Sequence, residues 1–102
     1  MRRRVASLSA LKDGLPEPIF VDDEEIVLIR RGDNVYALFD RCSHQDFPLS
    51  LGKVEGGRIK CAAHGAEFDL ASGKALCAPA FAPVSTYPVE IDGDDVFIEI
   101  DL

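Results

Sequence analysis

Two short cysteine–histidine pairs constrain the fold of this chain more than any other feature of its sequence. The first pair is Cys42 and His44 in "CSH", and the second is Cys61 and His64 in "CAAH". The chain has only two histidines and three cysteines, and each histidine lies within three positions of a cysteine. If both pairs serve one site, the chain must fold so that two separate loops meet at one point.

Length and composition are typical of one globular domain. The chain has 102 residues, of which 47% are hydrophobic and 28% are charged. Single cores usually form in domains of about 100–150 residues, so we expect one domain over residues 1–102. Uninterrupted apolar runs fall far short of the roughly 20 residues that cross a bilayer, so no membrane segment is predicted. The formal net charge of −7 argues against nucleic acid as a partner, because phosphate binding needs clustered Lys and Arg.

The first residues place three arginines before a short apolar stretch, as a targeting signal would. Two serines break that stretch, Lys12 and Asp13 end it, and no convincing cleavage site follows. We therefore interpret residues 5–11 as the first strand and the arginines as a solvated terminus. The expected compartment is the cytoplasm, where cysteines stay reduced and become metal ligands or catalytic groups rather than disulfides.

Short β-strand patterns dominate the rest of the chain. Runs of β-branched and aromatic residues alternate with glycine-centred turns, and no window shows a sustained helical stripe. The predicted hairpins and strand pairs lie at residues 24–39, 53–61, 66–76 and 84–102. Turn signals at intervals of roughly 8 to 20 residues predict an all-β sandwich or partly open barrel with about eight to ten short strands.

Each Cys/His pair directly follows a predicted strand, so each is expected on a loop at one end of the sandwich. Two thiolates and two imidazoles suit a structural zinc ion or an iron–sulfur centre. Zinc sites more often draw both cysteines from one loop. Here each loop supplies one thiolate and one imidazole, which favours a [2Fe–2S] centre whose two irons take different ligands. Structural zinc stays an alternative, as does a cysteine nucleophile activated by a histidine, although the latter leaves one pair unexplained.

With these motifs the chain resembles the Rieske-type [2Fe–2S] ferredoxins of bacterial aromatic-ring-hydroxylating dioxygenase systems. The matching segments are CSH at 42–44, CAAHG at 61–65, FDLASGKAL at 68–76 and APVSTYPVEIDGDDVFIEI at 82–100. The resemblance implies an all-β Rieske fold, with three stacked antiparallel sheets and two cluster-binding loops at one tip. It also implies that Cys42 and Cys61 bind the inner iron of one [2Fe–2S] cluster, and that His44 and His64 bind the outer iron.

The function implied by this resemblance is one-electron transfer without bond chemistry, so the chain is not expected to be an enzyme. A flavin-dependent NAD(P)H reductase would reduce the ferredoxin, which would then dock transiently, as a monomer, on a terminal oxygenase. The acidic residues are either simply a solvated surface or steer the protein onto a basic patch of a partner. The alternative relative is the small Rieske-like subunit of nitrite-reductase-like complexes, which often lacks the four ligands.

Four positions differ from high-potential respiratory Rieske proteins. Phe47 and Ala63 stand where those relatives form a disulfide between the loops, so that disulfide cannot form. Ala66 and Phe68 stand where they have a Ser and a Tyr that donate hydrogen bonds toward the cluster and a Cys ligand. Because fewer hydrogen bonds to sulfur stabilise the reduced cluster less, we predict a potential near the low end of the range, about −150 mV.

The third cysteine, Cys77, lies in the proline-rich segment 77–84, which in this family folds over the cluster. Since four ligands are already assigned, we expect Cys77 to be a buried or half-buried free thiol. Pro79 and Pro83 are expected to stiffen the covering loop. Just after the first pair, Asp46 lies close to a position where many relatives have glycine, which predicts a strained turn there.

Overall fold

The computed structural model describes residues 1–43, 47–63, 65–78 and 82–100. These ranges contain ten β-strands and two single-turn 3-10 helices. The strands are β1 (Arg2–Ser7), β2 (Pro16–Val21), β3 (Glu24–Arg31), β4 (Asn34–Phe39), β5 (Lys53–Glu55), β6 (Arg58–Lys60), β7 (Glu67–Asp69), β8 (Thr86–Tyr87), β9 (Val89–Asp92) and β10 (Asp95–Glu99). The short helices are Leu8–Ala10 and Leu49–Leu51. Neither they nor any other helix in the described ranges has the length and apolarity to cross a membrane.

Three antiparallel sheets make up the fold. Sheet A has the strand order β1-β10-β9, sheet B has β2-β3-β4-β8, and sheet C has β5-β6-β7. The prediction of an all-β fold with three antiparallel sheets is therefore confirmed. The predicted hairpins β3–β4, β5–β6 and β9–β10 are also present. The β5–β6 turn uses Gly56 and Gly57 with φ of 53° and 85°, a conformation that glycine adopts at little cost.

The first strand begins earlier than predicted. β1 starts at Arg2 and ends at Ser7, so the arginines form part of the strand, although their side chains are still in contact with solvent. The reason is the acidic neighbouring strand β10: Arg4 Nε donates to Asp95 Oδ1 at 2.8 Å, and the Arg2 guanidinium lies 3.8 Å from the centre of the Phe97 ring. Residues 8–10, which were predicted to continue the strand, form a short helix instead.

Two further differences concern strands that the sequence pattern misrepresents. β2 was not among the predicted strands; it contains Pro16 and Pro18 and is an edge strand, where proline is tolerated. The second strand expected within residues 66–76 is reduced to an isolated bridge between Phe68 and Ala75. Both differences depend on which strands pair in the sheets. Local sequence does not specify this pairing.

Sheet B forms the middle of the core. In β3, Val27 and Ile29 face one hydrophobic cluster while Ile26 and Leu28 face another, and all four are fully buried. The first cluster, called cluster 1, consists of Val27, Ile29, Leu38, Cys42, Leu49, Ile59, Cys61, Ala66, Phe68, Leu70 and Val84. Cluster 1 therefore places both predicted ligand cysteines, Cys42 and Cys61, inside a continuous apolar core.

Candidate metal centre

The two cysteines lie on loops that leave neighbouring hairpins and enter the same core. Loop 1 (residues 40–48) follows β4 and carries Cys42, which is 4% exposed. Loop 2 (residues 61–66) follows β6 and carries Cys61, which is 2% exposed. The other two predicted ligands, His44 and His64, lie outside the described residues. The structure thus brings the predicted thiol ligands into cluster 1, and the assignment of all four ligands stays a prediction.

Equivalent backbone hydrogen bonds close the two loops. The Cys42 N–H donates to the Phe47 carbonyl at 2.9 Å, and the Cys61 N–H donates to the Ala66 carbonyl at 2.7 Å. In both cases the acceptor is the fifth residue after the cysteine, and in both the histidine lies between them in the sequence. Loops 1 and 2 are therefore two versions of one structural unit.

Buried polar contacts anchor loop 1. The Asp40 side chain is 5% exposed and accepts two hydrogen bonds from Ser50, from N–H at 2.6 Å and from Oγ at 2.7 Å. The neighbouring Arg41 forms a bidentate pair with Glu25, at 2.8 Å and 2.7 Å. The hydrogen bond from Arg41 holds the pKa of the Glu25 carboxyl below its usual value. Sequence reasoning did not assign Asp40 a role, because its partner lies ten residues further along the chain.

Close backbone packing anchors loop 2. The short helix Leu49–Leu51 ends at Gly52, whose N–H donates to the Leu49 carbonyl at 2.8 Å. A Cβ at Gly52 would lie 2.0 Å from the carbonyl oxygen of Lys60, the residue before Cys61. Since this oxygen belongs to the backbone, it cannot move aside cheaply. A glycine is therefore required where the helix meets the start of loop 2.

The described ends of segment 77–84, called loop 3, contact both cysteine loops. On loop 1, Ser43 Oγ donates to the Ala82 carbonyl. On loop 2, Cys77 Sγ lies 3.7 Å from the Gly65 carbonyl and 3.6 Å from Glu67 Oε2. The Cys77 thiol is free and exposed, so the prediction that it is buried or half-buried was wrong. It lies on the solvent side of loop 2, a placement that only the tertiary fold determines.

Other predictions for this region concern the residues around the proposed ligands and the residues at the loop tips. Phe47 and Ala63 are partly buried and pack against cluster 1, and Ala66 and Phe68 are fully buried in it. Apolar side chains therefore occupy all four positions at which respiratory relatives are expected to have cysteine or hydroxyl groups. The turn expected at Asp46 and the stiffening expected from Pro79 fall outside the described residues.

The chemistry of the donor set fits an iron–sulfur group. Two buried thiols enter one apolar core from loops with the same closure, and soft thiolates are the ligands that such clusters use. Within the ranges that the structure describes, no three His, Cys, Asp or Glu side chains are grouped closely enough to hold a metal ion. The described residues thus place two candidate thiol ligands, Cys42 and Cys61, in one apolar core.

Comparison with known proteins identifies the family. Residues 2–88 match the Rieske [2Fe–2S] domain. The ferredoxin subunit of 3-phenylpropionate/cinnamic acid dioxygenase from Shigella flexneri serotype 5b (strain 8401) is 42% identical over 86 residues, which cover 82% of this chain and 81% of that protein. The chain belongs to the Rieske [2Fe–2S] domain family, and the cofactor of that family is a [2Fe–2S] cluster. The expectation of a Rieske cluster rather than zinc or a cysteine nucleophile is thereby confirmed.

Two solved structures show how closely the fold agrees. The ferredoxin of carbazole 1,9a-dioxygenase from Nocardioides aromaticivorans IC177 has a TM-score of 0.92 and 35% identity, and the alignment covers 96% of each chain. A ferredoxin solved in a complex of reduced oxygenase and oxidized ferredoxin in carbazole 1,9a-dioxygenase has a TM-score of 0.88 and 28% identity, covering 95% of this chain and 91% of that one. The fold of this chain is thus that of the dioxygenase ferredoxins.

Proposed function

We propose that this chain is a one-electron carrier that passes electrons from a flavin-dependent NAD(P)H reductase to a terminal aromatic-ring oxygenase, and that it catalyses no reaction by itself. The observation that carries this proposal is the mutual coverage with a dioxygenase ferredoxin, 96% of each chain at a TM-score of 0.92. A relative that is 42% identical also bears the name of a dioxygenase ferredoxin subunit. Both relatives are dioxygenase ferredoxins by name, and this supports the role of electron carrier for this chain.

The proposed ligands are Cys42 and Cys61 for one iron, and His44 and His64 for the other. When bound, the [2Fe–2S] group supplies a one-electron redox couple. The contribution of the protein is to position and shield. Both cysteines are nearly inaccessible, and the matched backbone closures hold each one at the start of its loop. The burial of both thiols in cluster 1 supports their assignment to the inner iron.

The proposed reduction potential is low, about −150 mV, because the surroundings offer few hydrogen bonds to sulfur. Ala66 and Phe68 are fully buried beside the cysteines in cluster 1, and neither has a hydroxyl group to donate. Redox titration of the purified protein measures this directly. A midpoint above about +100 mV, well up the range of Rieske centres, would contradict the proposal.

The remaining parts of the proposal concern the state of the protein. We propose a single domain over residues 1–102, since β3 contributes to both hydrophobic clusters and joins them. We also propose that the protein is a monomer. We place it in the cytoplasm, because an exposed free thiol such as Cys77 is compatible with a reducing compartment. Docking on the reductase and the oxygenase is proposed to be transient, with interfaces below about 1,200 Å².

The ligand assignment is tested by optical and EPR spectroscopy of the purified protein. The expected result is a red-brown protein whose reduced state gives the EPR signal of mixed thiolate and imidazole ligation. His44→Cys and His64→Ala should each abolish that signal, whereas Cys77→Ser should retain it. A colourless protein with one equivalent of zinc would rule out the electron-transfer function. The partner assignment is tested by substrate turnover that requires reductase, oxygenase and this protein together.

A further inference from the structure

Loop 3 meets each cysteine loop at the residue next to a proposed histidine ligand. On loop 1 the contact is at Ser43, whose Oγ donates to the Ala82 carbonyl. Ser43 directly precedes His44 in the sequence. On loop 2 the contact is at Gly65, which directly follows His64. The two ends of loop 3 are therefore joined to the chain beside both proposed ligands of the outer iron.

On the side of loop 2, the backbone already holds loop 3 in place. The Leu76 N–H donates to the Glu67 carbonyl at 2.7 Å, which fixes the entry into loop 3 against β7. The contact of Cys77 Sγ with the Gly65 carbonyl, at 3.7 Å, adds little to this, because the thiol is exposed and thiols are weak donors. The position of loop 3 beside loop 2 thus does not depend on a side chain.

At the other end of loop 3, the carbonyl that accepts the Ser43 bond is held close to the core. Ala82 precedes Pro83, which disfavours helical backbone conformations for Ala82. Val84 is 6% exposed in cluster 1, and its N–H donates to the Gly73 carbonyl at 2.9 Å. A Cβ at Gly73 would lie 2.2 Å from the Val84 carbonyl oxygen, so the two segments are tightly packed. The Ala82 carbonyl is therefore a firm point of attachment.

The Ser43 hydroxyl continues a junction that begins in the sheet. A backbone hydrogen bond runs from the Phe39 N–H to the Ser85 carbonyl at 2.9 Å, where β4 ends. Four residues beyond Phe39, the side chain of Ser43 reaches the same segment at Ala82. Both Ser43 and Ala82 are exposed, so water can replace this bond without leaving a buried polar group unsatisfied. Folding therefore does not require the hydroxyl, and its contribution lies in local order at loop 1.

We propose that Ser43 is a positioning residue of the cluster site: its hydrogen bond to Ala82 fixes the backbone immediately before His44 and thereby the orientation of that imidazole. This inference rests on the proposed ligand assignment. The closure from the Cys42 N–H to the Phe47 carbonyl fixes one residue of loop 1, and the Ser43 bond fixes the next. Partners outside the ligand set orient the ligands themselves in metal sites. Two successive fixed residues leave the third with less freedom.

The test is EPR spectroscopy of the reduced Ser43→Ala protein. The variant should keep the mixed-ligand signal but broaden it, because the imidazole then takes a range of orientations. Loss of the visible absorption band on incubation should be about threefold faster, since an exposed hydrogen bond contributes little free energy. Ser43→Thr keeps a hydroxyl at this position and should restore both the linewidth and the rate.

The matched control is Ser9→Ala, in the short helix Leu8–Ala10. Its exposed hydroxyl also forms a hydrogen bond, to Asp94 Oδ2 at 2.8 Å, but it lies outside the three loops. Ser9→Ala and Ser43→Ala should have similar free energies of unfolding in denaturant, and Ser9→Ala should keep the linewidth of the parent protein. This comparison separates positioning from general stability.

The outcomes are distinguishable. If Ser43→Ala has the linewidth and the rate of cluster loss of the parent protein, the positioning role is wrong while the proposed function stands. If Ser9→Ala broadens the signal equally, or if Ser43→Thr does not restore it, the effect does not come from the Ser43 hydroxyl and the inference is overturned. If the parent protein itself lacks the mixed-ligand signal, the proposed ligand assignment fails, and this inference fails with it.

Discussion

Loops 1 and 2 hold their cysteines in the same way but are supported by different forces. Both close with a hydrogen bond from the cysteine N–H to the carbonyl five residues later. Loop 1 is then fixed by a buried carboxylate, Asp40, and loop 2 by backbone contact at Gly52. Loop 1 should therefore be sensitive to losing a hydrogen-bond partner, and loop 2 to gaining a single carbon atom.

The surfaces beside the two loops differ as well. Beside loop 1, the charge of Arg41 is matched by Glu25 in a bidentate pair. Beside loop 2, Lys53 and Lys60 are a cross-strand pair of like charges, and Lys60 also lies opposite Glu67, whose carboxylate accepts a hydrogen bond from Arg58. The charge beside loop 1 is thus balanced within one ion pair, whereas the single carboxylate of Glu67 beside loop 2 is shared by Arg58 and Lys60.

The largest effect is expected from Gly52→Ala, which targets the support of loop 2. Its Cβ would lie 2.0 Å from the Lys60 carbonyl oxygen, so the backbone must shift and loop 2 with it. We expect a loss of about 3–5 kcal/mol in the free energy of unfolding, together with weaker cluster retention. Thermal unfolding followed at the visible absorption band measures both effects.

The control for this change is Gly56→Ala in the β5–β6 turn. That position has a positive φ of 53°, but no atom lies within 4 Å of the added Cβ. Only backbone strain is introduced there, with a cost of about 1 kcal/mol. If Gly52→Ala unfolds within a degree or two of Gly56→Ala, close packing does not support loop 2.

An intermediate effect is expected from Asp40→Asn, which targets the support of loop 1. The amide keeps the shape of the side chain but can offer only one oxygen to the two donors of Ser50. One buried donor then loses its partner, at a cost of about 1–3 kcal/mol in the free energy of unfolding. Denaturant unfolding at neutral pH measures this cost.

The chain contains a natural control for Asp40. Asp69 accepts hydrogen bonds from the N–H and Oγ of a serine, Ser72, at 2.9 Å and 2.8 Å, but both bonds go to Oδ2 and the residue is half-buried rather than in the core. Because one amide oxygen can keep both bonds there and water is near, Asp69→Asn should cost less than about 1 kcal/mol. Equal costs for the two substitutions would mean that neither burial nor the use of both carboxylate oxygens makes Asp40 the anchor of loop 1.

These supports mark the boundary of what the sequence could predict. The hairpins and the positions of Cys42 and Cys61 just after strands follow from local patterns, and the structure contains them. The Rieske cluster was predictable because four rare residues form two matched pairs, a pattern that is improbable by chance. The supports depend instead on residues that are distant in sequence and meet only in the fold, such as Asp40 with Ser50.

One wrong expectation and one strand absent from the predictions both depend on tertiary neighbours. Cys77 was expected to be buried or half-buried, yet its side chain is exposed above loop 2. The strand at Pro16–Val21 was not predicted; it contains two prolines, and its edge position accepts them. In both cases the position in the fold decided the outcome, and local sequence does not specify that position.

The smallest effect is expected from Glu25→Gln, which removes the ion pair beside loop 1. The pKa of Glu25 is lowered in the folded protein, chiefly by the hydrogen bond from Arg41. A carboxyl group whose pKa is lowered by folding stabilises the protein above its unfolded pKa, and this stabilisation is lost as the pH falls through the folded value. The pair is partly exposed, so Glu25→Gln should lower Tm at pH 7 by no more than about 3 °C.

The pH dependence distinguishes this ion pair from simple packing. The difference in Tm between the parent protein and Glu25→Gln should shrink as the pH is lowered below about 4.3, the usual pKa of a glutamate, because the parent carboxyl then becomes protonated. Glu17→Gln, at an exposed position on the edge strand β2, serves as the control and should show no comparable change. A difference for Glu25→Gln that stays constant between pH 7 and the acid range would show that the side chain supports loop 1 through its shape rather than its charge.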